Sequence, residues 1–201
     1  MALIDQGANG SLIAKDMLFV KSPLPPQFVS VIGAGDHTSN DCPIGSGIGK
    51  AISNNGPCLV FVHEAAHFPE QEHSIFSGVQ LEDYGCDVND KSIRFGGGQK
   101  LTTPDGHIFP LAIKDGLCYL PMQPPTQDEL DDPNMPHVIL TSNSIWDPSK
   151  YSDLDNIQGR LTTLQDSESP NDCLEYTTTG EIVPLNASFV DSTNPVSKSK
   201  Y

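Results

Sequence analysis

The apolar residues of this chain come in short runs, and turn-forming residues close almost every one of them. Phe28-Val-Ser-Val-Ile32, Cys58-Leu-Val-Phe-Val62, Ser92-Ile-Arg-Phe95, His107-Ile-Phe-Pro-Leu-Ala-Ile113 and Leu117-Cys-Tyr-Leu120 are examples. Several alternate with period two, the pattern of half-buried strands joined by tight turns. Pro104-Asp105-Gly106 and Asp115-Gly116 have hairpin-turn chemistry, because glycine adopts the positive φ that such turns need. The 17 Gly and 17 Pro in 201 residues argue against a helical bundle. The strongest helix candidates are short, at Ser11–Phe19 and Asp128–Leu130. The fold expected is all-β.

The patterning divides the chain into three stretches. Residues 1–120 carry the strand-like runs and make up one domain. Residues 121–150 form an acidic, Pro-rich connector from Pro121 to Pro136, followed by one more apolar segment at Pro136-His-Val-Ile-Leu140 and Ile145-Trp146. From Tyr151 onward the chain is mostly Ser, Thr, Asp and Asn. So little apolar surface cannot offset the entropy of ordering, and a disordered or loosely attached tail is expected over 151–201. Within it Leu154, Ile157, Leu161 and Leu164 fall at helical spacing, so a short docked helix is the alternative.

Charge limits the partners. Lys and Arg total 11 against 26 Asp and Glu, a formal net charge of −15. Such a surface repels phosphate backbones, so no nucleic-acid partner is expected of the chain by itself. No apolar run is long enough for a transmembrane helix, and no membrane partner is expected. Met1-Ala2-Leu3-Ile4-Asp5 lacks the basic-then-apolar order of a secretory signal. Five widely spaced cysteines without a CxxC read as free thiols, which points to an intracellular location, cytoplasmic or nuclear.

Two segments carry potential chemistry. In Leu3-Ile4-Asp5-Gln6-Gly7-Ala8-Asn9-Gly10 an apolar strand runs into Asp and then Gly-Ala. This order can present a carboxylate at a strand end, where Gly7 lets the chain turn. Aspartic proteases use such a site twice, with two carboxylates about 3 Å apart sharing one proton. A chain with one copy must pair with a second chain. Read alone, the segment is more simply a strand followed by a Gly-containing turn.

The surrounding motifs resemble the protease region of copia-type retrotransposon polyproteins. Asp5-Gln6-Gly7-Ala8 sits where that family has Asp-Ser-Gly-Ala. Ser30-Val-Ile-Gly-Ala-Gly35 and Cys42-Pro-Ile-Gly-Ser-Gly-Ile-Gly49 resemble its flap hairpin and the following Gly-rich strand. Ser74-Ile-Phe-Ser-Gly-Val-Gln-Leu81 with Tyr84-Gly85 looks like its Asn-Leu-Leu-Ser-Val-Ser-Gln-Leu and Gly-Tyr. Asp115-Gly-Leu-Cys-Tyr-Leu120 is similar to its Asn-Gly-Leu-Tyr-Tyr-Leu ending, and Met135-Pro-His-Val-Ile-Leu-Thr141 with Trp146-Asp-Pro148 looks like an extension of some copia-like elements. The resemblance implies a retropepsin-like small barrel with a flap hairpin over residues 1–120. It implies an aspartic endopeptidase that processes a polyprotein as a homodimer, with a polypeptide substrate and no cofactor. Asp5 would be the catalytic carboxylate, with Gly7 and Ala8 shaping its loop. Two departures point to a degenerate, inactive copy. Gln6 replaces the Ser or Thr whose hydroxyl ties the dimer floor together, and the sequence begins four residues before Asp5, where the family implies a further strand.

The second segment, His63-Glu64-Ala-Ala-His67 with His73, matches a zinc-protease pattern. On a helix His63 and His67 would share a face and bind zinc while Glu64 served as general base, with His73 as third ligand. Against this, Pro69 and Glu70 occupy the turn, Glu70 stands where that pattern has Gly, and the β-branched run Cys58–Val62 favours a strand. On a regular strand His63 and His67 would face the same way and Glu64 the opposite way. A non-enzymatic interaction remnant is the third reading of the chain. Other signals are weak: Gly45-Ser-Gly-Ile-Gly-Lys50 lacks phosphate-loop spacing because Ala51 follows Lys50, Gly96-Gly-Gly98 reads as a hairpin connection, and His37, His107 and His137 have no partner spacing.

Overall fold

The computed structural model describes residues 1–22, 26–33 and 38–151, with the backbone of two further strands at 174–176 and 182–184. In chain order the first elements are β1 (Ala2–Asp5), β2 (Leu12–Ile13), β3 (Leu18–Lys21), β4 (Phe28–Ile32), β5 (Thr38–Ser53), β6 (Gly56–His67) and β7 (Ile75–Ser77). Helix α1 (Gly78–Asp83), β8 (Asp87–Asn89), β9 (Lys100–Thr102), β10 (Ile108–Pro110), β11 (Ala112–Lys114) and β12 (Leu117–Leu120) follow. β13 (Met122–Gln123), α2 (Gln127–Asp131) and β14 (His137–Ile139) come next. The structure is mostly β, as the alternating runs imply.

One large mixed sheet has the order β11-β12-β1-β7-β2-β6-β5-β13, with β14 added to β6 and both β3 and β4 added to β5. A small antiparallel sheet, β10-β9-β8, stands apart from it. No closed barrel forms among the described residues. The parallel pairs join segments distant in the chain: β1 runs parallel to β7, β2 to β6 and β14 to β6. The main core gathers Ile4, Ile13, Val60, Val62, Phe76, Leu81, Leu101, Phe109, Leu120, Val138 and Leu140. Most come from the strands of both sheets, with Leu81 from α1.

The hairpin at Asp115-Gly116 is as expected. Lys114 pairs with Leu117, leaving a two-residue loop, and both loop residues have positive φ, 51° and 82°. At Thr103–Gly106 the Gly106 N–H donates to Thr103 O at 2.9 Å and Gly106 has φ 88°, again a turn. The helix expected near Asp128–Leu130 is α2, opened by a full capping box in which Thr126 and Glu129 bond each other's backbone N–H. The helix expected over Ser11–Phe19 is absent. That segment is β2, a turn and β3, because Leu12 and Ile13 pair with β6 and Leu18–Lys21 pair with β5. Tertiary pairing overrides the local pattern there.

The Gly-rich stretch 45–49 lies inside β5. A Cβ at Gly45 would collide with the Phe19 ring, one at Gly47 with Ile13 and one at Gly49 with Met122. These glycines admit neighbouring side chains against the strand, which is the usual meaning of strand glycine. The connector is more structured than its composition suggests, since β13 pairs with β5 and β14 with β6. Residues Met1–Pro148 form one compact unit and Ser149–Tyr201 a second. In the second, β15 (Leu174–Tyr176) pairs antiparallel with β16 (Ile182–Pro184). The remaining tail, including Leu154, Ile157, Leu161 and Leu164, lies outside the described residues.

Candidate functional site

Asp5 is the last residue of β1 and pairs in register with Ser77, the last residue of β7. Its side chain is half-buried and folds back on its own loop: the Gly7 N–H donates to Asp5 Oδ1 at 2.8 Å. A Cβ on Gly7 would lie 3.3 Å from that oxygen, tight enough that a larger residue would push the carboxylate away. Glycine here serves close approach.

The loop after Asp5 is clamped from the start of α1. Ser77 caps that helix, its hydroxyl accepting from the Gln80 N–H and donating to Ala8 O at 2.6 Å. The Ser77 N–H donates to Ser11 Oγ at 3.1 Å, and the Ser11 N–H donates to Gln80 Oε1 at 3.0 Å. Gln80, only 2% exposed, turns its amide the other way and donates to His63 O and Glu64 O at 3.2 and 3.3 Å. One buried amide therefore ties the Asp5 loop to β6. Gln6 is exposed in the single chain and overlies Gly78, where a Cβ would collide with its amide.

β4 and the start of β5 form a hairpin. β4 and β5 pair from Phe28–Pro43 to Ile32–Thr38, with the register shifted between Val29 and Val31. Cys42 and Ile44 at its base pack with Ala66, against which Leu12 and Val31 also lie. Leu12 follows the Asp5 loop directly. Phe28, Val29 and Ile32 are exposed, Ile32 by 71%. Residues 34–37, with His37, lie outside the described residues.

The HExxH segment lies on a strand. His63, Glu64 and His67 all belong to β6, and a bulge sits among them: Gly45 pairs with Ala65 and Gly47 with Val62, so Ser46 faces both His63 and Glu64. Val62 and Ala65 both enter the main core although three positions apart. The bulge thus inverts the alternation, and His63 and His67 lie on opposite faces of the sheet, not on one as expected of a regular strand. His63 Nδ1 is 2.8 Å from Ser46 Oγ, whereas the His67 ring stacks on Phe19 at 4.0 Å. His73 sits elsewhere, 3.8 Å from Asp16 Oδ2 and edge-on to Tyr119. Among the described residues no group of three or more His, Cys, Asp or Glu is placed to hold a metal ion.

Burial pushes the His63 and His67 imidazoles below their ordinary range, favouring the neutral form. Burial raises the Glu64 carboxyl, against a backbone N–H from Trp146 that favours the anion. Glu64 is held at φ 52°, a conformation uncommon for a residue with a side chain. The bulge's backbone is satisfied by side chains: the His63 N–H donates to Thr141 Oγ1 at 2.7 Å, and that hydroxyl donates to His63 O at 3.0 Å. His107 Nδ1 lies 3.0 Å from Ser53 Oγ at the β5–β6 turn, and His137 tilts against Phe61. Cys42, Cys58, Cys86 and Cys118 are buried free thiols, Cys86 pushed up to about 12 by burial.

Gln80, Ser77 and Thr141 are the supporting residues that sequence reasoning missed. Ser77-Gly-Val-Gln80 carries the S-x-x-Q spacing that opens a helix, a signal present in the sequence. No described helix is long and apolar enough to cross a membrane. Comparison with protein-family models, with curated proteins and with solved structures returns no match.

Proposed function

We propose that the chain is a retroelement-derived, retropepsin-like aspartic-protease domain whose chemistry arises when two chains bring their Asp5 carboxylates together. One carboxylate would activate water while the other, sharing the proton, protonates the peptide carbonyl. The observation that carries this reading is the placement of Asp5. It stands half-exposed at a strand end, on a loop clamped by Ser77 and Gln80, so its carboxylate is both available and positioned. The β4–β5 hairpin, with apolar residues exposed above Leu12, suits a flap that closes over an extended polypeptide.

Gln6 limits the activity in this reading. It is exposed in one chain, but pairing two Asp5 loops would enclose its amide and ask for new partners. A displacement of ~1 Å at the carboxylates costs about a hundredfold in rate. The unmodified chain is therefore a weak enzyme or an inactive remnant. The test is cleavage of a peptide library from pH 4 to 7 (about the carboxylate-to-neutral range) at several protein concentrations. Gln6→Ser should raise acid-shifted cleavage whose specific rate grows with concentration, and adding Asp5→Asn should abolish it. Cleavage that survives Asp5→Asn, or none with Gln6→Ser at any concentration, would refute the proposal.

A further inference from the structure

An open groove lies between the large sheet and the small one, with Met1 at the start of β1 among its lining residues. It has a volume of about 870 Å³ and is lined by Ile52, Ile93, Ile108 and Met122 together with Lys50 and Lys100, and by no residue of the Gln6–Ser11 loop. The size falls within the range of roughly 300–1,000 Å³ typical of small-molecule sites, which are mostly apolar with a few polar groups that fix orientation. Met122 forms part of its wall by packing over Gly49. Ile52 and Ile93 are 67% and 66% exposed, an unusual cost for two aliphatic side chains lining one groove.

The charge of this lining runs against the rest of the molecule. In a chain of net charge −15, the groove wall holds Lys50, Lys100 and Met1, whose ammonium is paired with Asp16, and no Asp or Glu. Lys50 is held by Glu129 at the C-terminal side of the groove. Lys100 has no carboxylate within ion-pair distance among the described residues. An apolar trough with one uncommitted ammonium group calls for a ligand that is itself apolar with one anionic end.

We propose that this groove binds a small aliphatic carboxylate, its chain along Ile52, Ile93, Ile108 and Met122 and its carboxylate on Lys100. The inference is independent of the proposed protease chemistry, since neither Asp5 nor its loop takes part. Isothermal titration of the full chain with octanoate, below its micelle concentration, tests it. One saturable site is expected, with a Kd on the order of 100 µM. Octanol, which lacks the charge, should bind about five- to tenfold more weakly, and Lys100→Gln should remove that preference while leaving octanol binding unchanged. Ile52→Asp, at an exposed position that the fold tolerates, should abolish binding of both. Absence of saturation, equal binding of acid and alcohol, or an unaltered preference in Lys100→Gln would overturn the proposal. So would tighter binding of a short apolar peptide acid, which would make the groove a peptide site instead.

Discussion

Replacing Gln80 with Leu tests whether one buried amide holds the Asp5 loop and the β6 bulge together. Leu keeps most of the volume, so the cavity contribution is small and the lost hydrogen bonds dominate. Ser11 N–H would lose its acceptor and Glu64 O its donor. His63 O keeps the Thr141 hydroxyl. Each orphaned buried group costs about 1–3 kcal/mol, so the sum is about 2–6 kcal/mol. Against a total stability of about 5–15 kcal/mol for a domain, that is a large fraction. Urea unfolding followed by circular dichroism should show the midpoint falling by roughly 1–3 M at unchanged slope, for m of about 2 kcal/mol/M.

Gln80→Glu adds a sign check to the same site. Ionised, the new carboxylate still accepts from Ser11 N–H but faces two carbonyl oxygens and donates to neither. Protonated, it donates to one of them. Its folded pKa should therefore be raised, so its contribution is fully present below the ordinary carboxylate range and is lost as pH rises through the raised value. The variant should recover stability on acidification relative to Gln80→Leu. A midpoint shift under about 0.5 M in Gln80→Leu, or no difference between the variants with pH, would refute the role given to this amide.

At the Asp115-Gly116 turn both residues have positive φ; Asp115→Val should cost about 1–2 kcal/mol and Asp115→Gly much less, read by thermal unfolding. His63 and His67 both have folded pKa values lowered by burial. Their contribution is fully present above the unfolded value, near 6.5, and is lost as pH falls through the lower folded values. Melting temperature should accordingly drop from pH 7.5 to pH 5.5 (roughly one unit either side of that value), and His67→Phe, which keeps an aromatic ring on Phe19, should flatten part of the drop. An equal drop in that variant would remove His67 from the account.

Much of the strand content was legible as short apolar runs closed by turn-forming residues. Cys58–Val62 and Leu117–Leu120 fall in β6 and β12, and Asp115-Gly116 makes the turn its chemistry requires. What escaped was set by partners distant in the chain. Ser11–Phe19 has apolar spacing suited to a helix, but β5, β6 and β7 offered ladder partners to Leu12 and Leu18. The bulge at Ser46 is equally invisible locally, because its backbone is satisfied by Gln80 and Thr141. That bulge is why His63 and His67 part company across the sheet, whatever their spacing suggests. At the Asp5 loop the residues of the motif could be picked out beforehand, whereas the clamp from Ser77 and Gln80 depended on β1 lying parallel to β7.

The glycines of β5 have a consequence for what holds that strand. A strand with Gly at 45, 47 and 49 loses more backbone entropy on ordering than most and has no side chains there with which to recover it. Phe19, Ile13 and Met122 supply the missing contacts, one set from the beginning of the unit and one from beyond β12. The packing of the centre of β5 thus depends on both flanks of the unit. Loosening either flank should therefore loosen the centre of β5 as well, although its β6 ladder is intact.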